Sequence, residues 1–322
     1  MTATSLPFIG EPVIDRCHLD RDDPAANAAR WSDPAALLLT INVHDEVVVQ
    51  RRPAGPAAAA ARSARREPPV SLAPGPTAGD RDDQRQLFIG VVSGRPWFIT
   101  RGRPVPGPGQ QLAAVRSLSL DPVDREIVWS GLAALHWAES QPLCPRCHGL
   151  TRVTPGGPTR ICTRCGREVF PRTDPAVISA VLDHDDRIVL GRQAHWEPGR
   201  MSVLAGFVEA GEAAEHALVR EVAEETGLRV VAARYLSSQP WPFPRSLMLG
   251  YVARAEGVIA LADHELAQAD FYSRDQVREL VAAGRLQLST PMSIARSLQE
   301  AWLADRLPAP ESGTDLSVPL TH

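Results

Sequence analysis

Residues 206–228 read GFVEAGEAAEHALVREVAEETGL, and this stretch decides how the rest of the chain is interpreted. Its second half is rich in Ala, Glu, Leu and Val, contains no proline, and ends at Gly227. This composition predicts a helix that begins near Ala213 and ends before the glycine. A buried stripe would be formed, at helical spacing, by Ala214, Ala217, Leu218 and Val222.

Three carboxylates share another face of this helix, because Glu221, Glu224 and Glu225 stand at positions i, i+3 and i+4. Carboxylates this close repel one another, and the segment contains no lysine to relieve the repulsion. We therefore expect a cation there, and carboxylate oxygens suit hard divalent ions such as Mg²⁺ or Mn²⁺. The alternative, a solvated acidic surface helix, leaves the glycines and the single arginine of the stretch unexplained.

Written as a pattern, the stretch is G-x5-E-x7-R-E-V-x-E-E-x-G-L. It resembles the Nudix box at every fixed position. These positions are Gly206, Glu212, Arg220, Glu221, Glu224, Glu225 and Gly227, with aliphatic Val222 and Leu228. The resemblance implies a Nudix hydrolase domain, an α/β/α sandwich, over residues 171–307.

Composition bounds the class of protein. The chain has 322 residues, of which 44% are hydrophobic and 22% charged, and its net charge of −4 comes without a long basic run. These values fit a soluble globular protein and argue against broad, sequence-independent nucleic-acid binding as the main activity. The N-terminus shows no signal peptide and no apolar run reaches 18 residues, so we expect no membrane partner and a cytoplasmic location.

Four of the five cysteines form the pattern C-x2-C-x14-C-x2-C, and Cys17 stands alone. Two knuckles at this separation resemble a zinc ribbon, in which a closed tetrahedral site staples a module that has little core of its own. A redox dithiol fits less well, since it needs one CxxC near a βαβ pattern. The ligands of this structural Zn²⁺ would be Cys144, Cys147, Cys162 and Cys165. Several arginines make this module basic, which favours a rival hypothesis of RNA binding.

The rest of the chain is organised around these two motifs. Residues 1–120 are expected to form an α+β domain with a mobile Pro/Ala/Arg-rich insertion at about 52–85 and no constellation that suggests chemistry. Residues 121–170 would comprise a helix, capped by Asp121 and running to about Glu139, and the ribbon. The Nudix domain would occupy residues 171–307, and a flexible tail residues 308–322.

Nine residues after the box, Ser238 to Ser246 read SQPWPFPRS. Three prolines in five positions predict an extended segment that cannot continue a central strand. It would present Trp241 and Phe243 beside Gln239 to a planar heteroaromatic base. The alternative, that both rings are buried in the core, stays open at this point.

SQPWPFPRS resembles the SQPWPFPxS signature of the NADH pyrophosphatase family of Nudix hydrolases, and residues 120–300 resemble that family throughout. The resemblance implies hydrolysis of NAD(H) to nicotinamide mononucleotide and AMP, removal of NAD caps from RNA 5′ ends, divalent metal and a homodimer. It implies metal binding by Glu221, Glu224, Glu225 and, late in the domain, Glu265. Substrate-binding residues would be Phe170, Phe207, Gln239, Trp241, Phe243, Ser246 and Ala295. Phe170 departs from the family, which often has Tyr there.

The expected mechanism follows from charge. Divalent ions held by the glutamates would neutralise the diphosphate and lower the pKa of a bound water, and Glu225 or Glu224 would accept its proton. Arg220 would pin a loop glutamate by an ion pair or, alternatively, touch the substrate. The rival from another class is a nucleotide-sensing or RNA-binding module without turnover. The sequence does not rank NADH, NAD⁺ and NAD-capped RNA as substrates.

Overall fold

The structure is a computed structural model that describes residues 12–52, 70–157, 159–261 and 265–316. The described residues divide into two compact units. The N-terminal unit comprises residues 12–173 and 241–245, and the box unit comprises residues 174–240 and 246–316. No helix among the described residues is long and apolar enough to cross a membrane.

A seven-stranded sheet forms the first part of the N-terminal unit, in the order β3-β2-β1-β6-β5, with β4 paired to β1 and β7 to β2. β1 and β2 form a hairpin around residues 42–45, in which Ile41 pairs with Val47. In chain order the elements are α1 (Pro24–Trp31), β1 (Leu37–Ile41), β2 (Glu46–Arg51), β3 (Val70–Leu72), β4 (Gly75–Pro76), β5 (Leu87–Val92), β6 (Arg95–Arg101) and β7 (Gln110–Ala114).

The helix that precedes the ribbon begins as predicted. In α2 (Pro122–Ser140) the Asp121 side chain accepts hydrogen bonds from the backbone N–H groups of Val123 and Asp124. Its apolar face buries Ile127 and Leu132, among other residues. Three short antiparallel strands follow, namely β8 (Thr151–Val153), β9 (Arg160–Cys162) and β10 (Glu168–Val169).

The expected mobile insertion, residues 52–85, is not loose throughout its described part. β3 pairs with β2 and β4 pairs with β1, so residues 70–76 belong to the sheet. Backbone pairing there does not need an apolar pattern, which is why composition alone suggested a loose segment. Residues 53–69 of the predicted insertion lie outside the described residues.

The box unit is built on a second seven-stranded sheet, in the order β16-β12-β11-β15-β14-β17, with β13 paired to β11. Its elements are β11 (Asp174–Leu182), β12 (Ile188–Gln193), β13 (Leu204–Phe207), α3 (Ala214–Thr226), β14 (Arg229–Trp241), β15 (Ser246–Glu256), β16 (Leu266–Tyr272), α4 (Arg274–Ala282), α5 (Ile294–Leu303) and β17 (Thr314–Asp315).

Alternate residues of the central strand β11 face opposite sides of this sheet and join two separate cores. One core lies under α5 and the other under α3. The predicted α/β/α sandwich is therefore confirmed. The first core includes Ile178, Leu182, Leu298 and Trp302, and the second includes Val177, Val181, Leu218 and Val222.

Two expectations about the box unit are corrected. β14 continues past Ser237 to Trp241, although Pro240 lies within it. The proline stands one residue from the strand's end, where its missing N–H costs least. The described part of the tail is not loose, because residues 310–312 form a 3₁₀ turn and β17 pairs with β14.

Candidate active site

Arg220 of α3 holds the front of the box together. Its Nε and Nη2 atoms donate to the two carboxylate oxygens of Glu212 at 2.9 and 2.8 Å. Nη1 donates to Glu221 Oε1 at 3.0 Å and to Glu224 Oε2 at 2.9 Å. Nη2 also donates to the carbonyl oxygen of Phe207 at 2.9 Å. The first alternative for Arg220, an ion pair with a loop glutamate, is the one observed, and the planar fork suits it.

These contacts set the charge state of the loop. The hydrogen bonds from Arg220, assisted by the backbone N–H of Glu209, lower the pKa of Glu212 from 4.5 to about 2. The same contact with Glu212 raises the pKa of Arg220. The loop is therefore tied to α3 by a pair of groups that both stay ionised at neutral pH.

Gly206 of β13 leaves room for the carboxylate of Glu221. A Cβ atom on residue 206 would lie 1.8 Å from Glu221 Cδ and 2.0 and 2.2 Å from its two oxygens. The strand can therefore carry no side chain where it passes this carboxylate. The first glycine of the box is explained by this close approach rather than by a positive φ angle.

The pKa of Glu221 depends on several charged groups. Burial raises its pKa, Arg220 opposes this, and the charges of Glu224 and Glu265 raise it further. Glu265 follows Glu225 by 40 residues in the sequence, yet its charge acts on Glu221. The predicted late glutamate thus contributes to the electrostatics of the helix that carries the other three.

The four glutamates differ in exposure. Glu225 is only 4% exposed, whereas the Glu224 side chain is 54% exposed and Glu221 lies between them at 16%. All the donors are carboxylate oxygens, which fits a hard divalent cation. Within the described ranges only cysteines place three or more ligand atoms within 4.8 Å of one another. Because Arg220 pairs with Glu221 and Glu224, a cation bound by these two carboxylates would share them with Arg220.

The four predicted cysteines do form one cluster, with all Sγ atoms within 4.8 Å of one another. Cys144 and Cys165 Sγ are 3.8 Å apart, and Cys147 and Cys162 Sγ are 3.4 Å apart. Sulfurs at about 2.3 Å from a tetrahedral zinc would be about 3.8 Å apart. Backbone N–H groups of residues 165 and 164 point at Cys162 Sγ and lower its pKa to about 6, which favours the thiolate. The cluster is compatible with a structural zinc.

The aromatic residues of the SQPWPFPRS segment are half-buried and pack within the N-terminal unit. The rings of Trp241 and Phe243 meet edge to face at 5.1 Å, and Trp241 meets Trp129 of α2 at 6.2 Å. The guanidinium of Arg116 lies over Trp241 at 5.8 Å and over Phe243 at 6.0 Å. Sequence reasoning missed Trp129 and Arg116, because nothing in their local pattern points to a segment more than 100 residues later.

His136 of α2 holds the same segment by its backbone. Its Nδ1 lies 3.1 Å from the carbonyl oxygen of Pro244, and its Nε2 lies 3.0 Å from Asp45 Oδ2. Arg101 Nη1 donates to the same Asp45 carboxylate at 2.8 Å. Carbonyl and carboxylate oxygens only accept, so the ring satisfies both contacts when both nitrogens carry protons. We call the contacts of His136 with Pro244 and Asp45 the latch, and the sequence did not predict it.

The remaining predicted substrate residues lie in different settings. Gln239 is 1% exposed; its Nε2 donates to the Met292 carbonyl at 2.8 Å and its Oε1 accepts from the Ile294 N–H at 2.7 Å. Its amide thus positions the start of α5, and a direct substrate contact stays a prediction. Ala295 is buried and Ser246 half-buried, whereas Phe207 and Phe170 are 60% and 62% exposed. Phe170, Trp241 and Phe243 belong to the N-terminal unit, and the others to the box unit.

Comparison with known proteins matches residues 172–290 to the NUDIX domain family. NAD-capped RNA hydrolase NudC of Mycobacterium bovis (strain BCG / Pasteur 1173P2) is 36% identical over 317 residues, which cover 93% of this chain and 96% of the relative. The protein of the same name from Mycobacterium tuberculosis (strain ATCC 25618 / H37Rv) matches with the same identity and coverage. NAD-capped RNA hydrolase NUDT12 of Macaca fascicularis is 35% identical over 199 residues, or 58% of this chain and 43% of the relative.

Proposed function

Because the chain belongs to the NADH pyrophosphatase family of Nudix hydrolases, the family of the NudC proteins, we propose that it hydrolyses the pyrophosphate bond of NAD(H). The products would be nicotinamide mononucleotide and AMP, and the same reaction would remove NAD caps from RNA 5′ ends. The observation that carries this proposal is the glutamate set of α3, held by Arg220 and accompanied by Glu265. A pure binding module would gain nothing from three like-charged side chains on one short helix together with the charge of Glu265.

We propose that Glu221, Glu224, Glu225 and Glu265 hold Mg²⁺ or Mn²⁺. When bound, such ions neutralise diphosphate oxygens and lower the pKa of a coordinated water. The protein's own contribution is to keep the donors in place. Arg220 fixes Glu221 and Glu224 on one side of the helix, and Gly206 lets the Glu221 carboxylate lie against β13.

Glu225 is our candidate for the group that accepts the proton from the attacking water, with Glu224 second. Glu225 is 4% exposed, less than Glu221 or Glu224. A sheltered carboxylate within reach of a water is suited to general-base work. Glu224 is largely exposed, and its Oε2 accepts a hydrogen bond from Arg220 Nη1.

The nucleotide would be recognised by the aromatic residues. We propose that Trp241 and Phe243 form one stacking wall and that Phe207 and Phe170, both exposed, offer further ring faces. Gln239, Ser246 and Ala295 complete the proposed set, with Gln239 acting through α5. The proposal includes structural Zn²⁺ at the four cysteines, a cytoplasmic location and a homodimer, which light scattering of the purified protein would test.

The direct test is incubation of the zinc-loaded protein with NADH and Mn²⁺, followed by chromatography for AMP and reduced nicotinamide mononucleotide. We expect both products in equal amounts. Glu225→Gln should lower kcat by about a hundredfold or more, since general bases contribute on that scale. A folded, metal-loaded parent protein that forms no AMP would reject the hydrolase in favour of a nucleotide sensor. Full activity in Glu225→Gln would remove this residue from the mechanism.

A further inference from the structure

The zinc ribbon, residues 142–173, carries an excess of positive charge. It contains six arginines and one glutamate, with no lysine or aspartate, so its formal charge is +5 within a chain of net charge −4. One Zn²⁺ with four thiolates would contribute −2 and leave the ribbon at +3. The ribbon is therefore a basic stretch of an otherwise acidic protein.

Most arginines of the ribbon are exposed to solvent. Five of the six are exposed, and none of these five lies within ion-pair distance of a carboxylate among the residues that the structure describes. The sixth, Arg160, is half-buried and donates to Thr151 Oγ1 at 2.6 Å and to the Ala138 carbonyl at 3.2 Å. The exposed five are Arg146, Arg152, Arg164, Arg167 and Arg172.

Ion pairing is more frequent in the box unit, where seven of the twelve arginines pair with a carboxylate. These are Arg187, Arg220, Arg229, Arg254, Arg274, Arg278 and Arg296. The exposed guanidinium groups of the ribbon are therefore open to an external anion.

Two of the five could serve the zinc site instead. Arg146 and Arg164 occupy the same position in the two CxxC turns, and Arg164 donates to the Cys147 carbonyl at 3.0 Å. Arg152 and Arg167 lie outside the two CxxC sequences, and the backbone carbonyl of Arg167, which a change to alanine keeps, accepts from the Cys162 N–H at 2.9 Å. Arg152 lies on β8 opposite Ile161, and Arg167 lies immediately before β10. These two provide the cleanest test of an outside partner.

We propose that the ribbon binds the phosphodiester backbone of the RNA chain that follows the NAD cap. This inference rests on the proposed function, which supplies a capped RNA as substrate. A guanidinium fork matches phosphate oxygens, and several unpaired guanidinium groups release counterions when they bind a polyanion. Free NADH has no such chain, so the ribbon would favour capped RNA over the free dinucleotide without reading base sequence.

The test compares R152A/R167A with R229A/R278A, a control that removes the same charge from paired arginines of the box unit. Each pair is made in the zinc-loaded full chain carrying E225Q, and binding of a single-stranded 5′-NAD-capped RNA is followed by fluorescence anisotropy against salt concentration. Two lost phosphate contacts should flatten the slope of log K against log salt by about 1.4. Between about 50 and 200 mM salt, the parent should thus lose about sevenfold more affinity than the ribbon variant.

With Glu225 restored, R152A/R167A should keep the parent's kcat/KM for NADH. In the E225Q background, R229A/R278A should keep the parent's slope of log K against log salt. The same RNA with a 5′ triphosphate should show the same change of slope. Equal slopes for the ribbon variant and the control would overturn the proposal, as would a parent that binds no RNA. Loss of zinc or of NADH turnover in R152A/R167A would assign these arginines to the fold and also overturn it. A parent inactive on NADH would reject the proposed function, while the slopes would still decide the RNA contact.

Discussion

The carboxylate of Glu221 occupies the place where any side chain on residue 206 would have to begin. Gly206→Ala should therefore push this carboxylate aside. We expect kcat/KM for NADH to fall by about a hundredfold, because displacements of about 1 Å at a reacting site cost that much. Unfolding should change little, since the clash involves the end of a flexible side chain.

Gly75→Ala is the matched control for this prediction. Residue 75 has no heavy atom within 4 Å of its built Cβ, so kinetics and stability should stay at parent values. Steady-state rates and thermal melts of the three proteins decide the question. Parent-like turnover in Gly206→Ala would show that the position of Glu221 is not critical.

Glu212 makes a residue-level prediction about pH. Its pKa is lowered from 4.5 to about 2 by Arg220, so folding favours its ionised form. The resulting stability is complete above the unfolded-state value and is lost as pH falls from about 4.5 towards about 2. We expect Glu212→Gln to be less stable than the parent at pH 7, with a gap that narrows below about pH 4.5. Denaturant melts of both proteins over a pH series measure this gap, and a gap independent of pH would contradict the assignment.

At the scale of elements, α2 and the β1–β2 turn hold the segment that carries Trp241 and Phe243. His136→Ala removes hydrogen bonds to the Pro244 carbonyl and to Asp45. Hydrogen bonds that involve charged groups contribute about 1.5–3 kcal/mol, so we expect KM for NADH to rise about tenfold or more while kcat changes less. The KM-against-kcat split is the measurement, because a general loss of fold would lower the active fraction instead.

His184→Ala is the control for the latch, since His184 is exposed and contacts only Glu256 among the hydrogen bonds described. It should leave both kinetic constants unchanged. Asp45→Asn keeps an acceptor for the ring and should raise KM less than His136→Ala does. Unchanged KM in His136→Ala would mean that the segment holds its position without the latch.

At the scale of the whole molecule, the ribbon and the first sheet support each other inside the N-terminal unit. Gln84 Nε2 donates to the Val153 carbonyl at 3.0 Å, and the Val153 N–H donates to Gln84 Oε1 at 2.7 Å. Arg81 Nη2 donates to the Pro155 carbonyl at 3.0 Å. Removing zinc should therefore raise amide hydrogen exchange in β8 and also around residues 81–86. Peptides from β11 serve as the internal control, and unchanged exchange around residues 81–86 would refute the coupling.

Local spacing predicted much of the molecule. The span and αL end of α3, the Asp121 cap of α2 and the cysteine cluster all follow from residues close together in sequence, whereas the sandwich was implied by the resemblance to the Nudix box. Features that depend on distant partners were missed. The engagement of Gln239 with the start of α5, and the packing of Trp241 against Trp129, leave no periodic signal in either segment. Proline content predicted the end of β14 too early for the same reason, since a strand's tolerance of proline depends on its neighbours.

Residues 241–245 belong to the N-terminal unit, although the residues on both sides of them belong to the box unit. The chain therefore passes from one unit to the other and back within a few residues. A fragment trimmed to the Nudix region would keep its glutamates but strand the aromatic residues without Trp129, Arg116 and His136. If the aromatic residues select the nucleotide as proposed, truncation at a conventional boundary would separate bond cleavage from nucleotide selection, and a shortened protein that still splits diphosphates indiscriminately would be its signature.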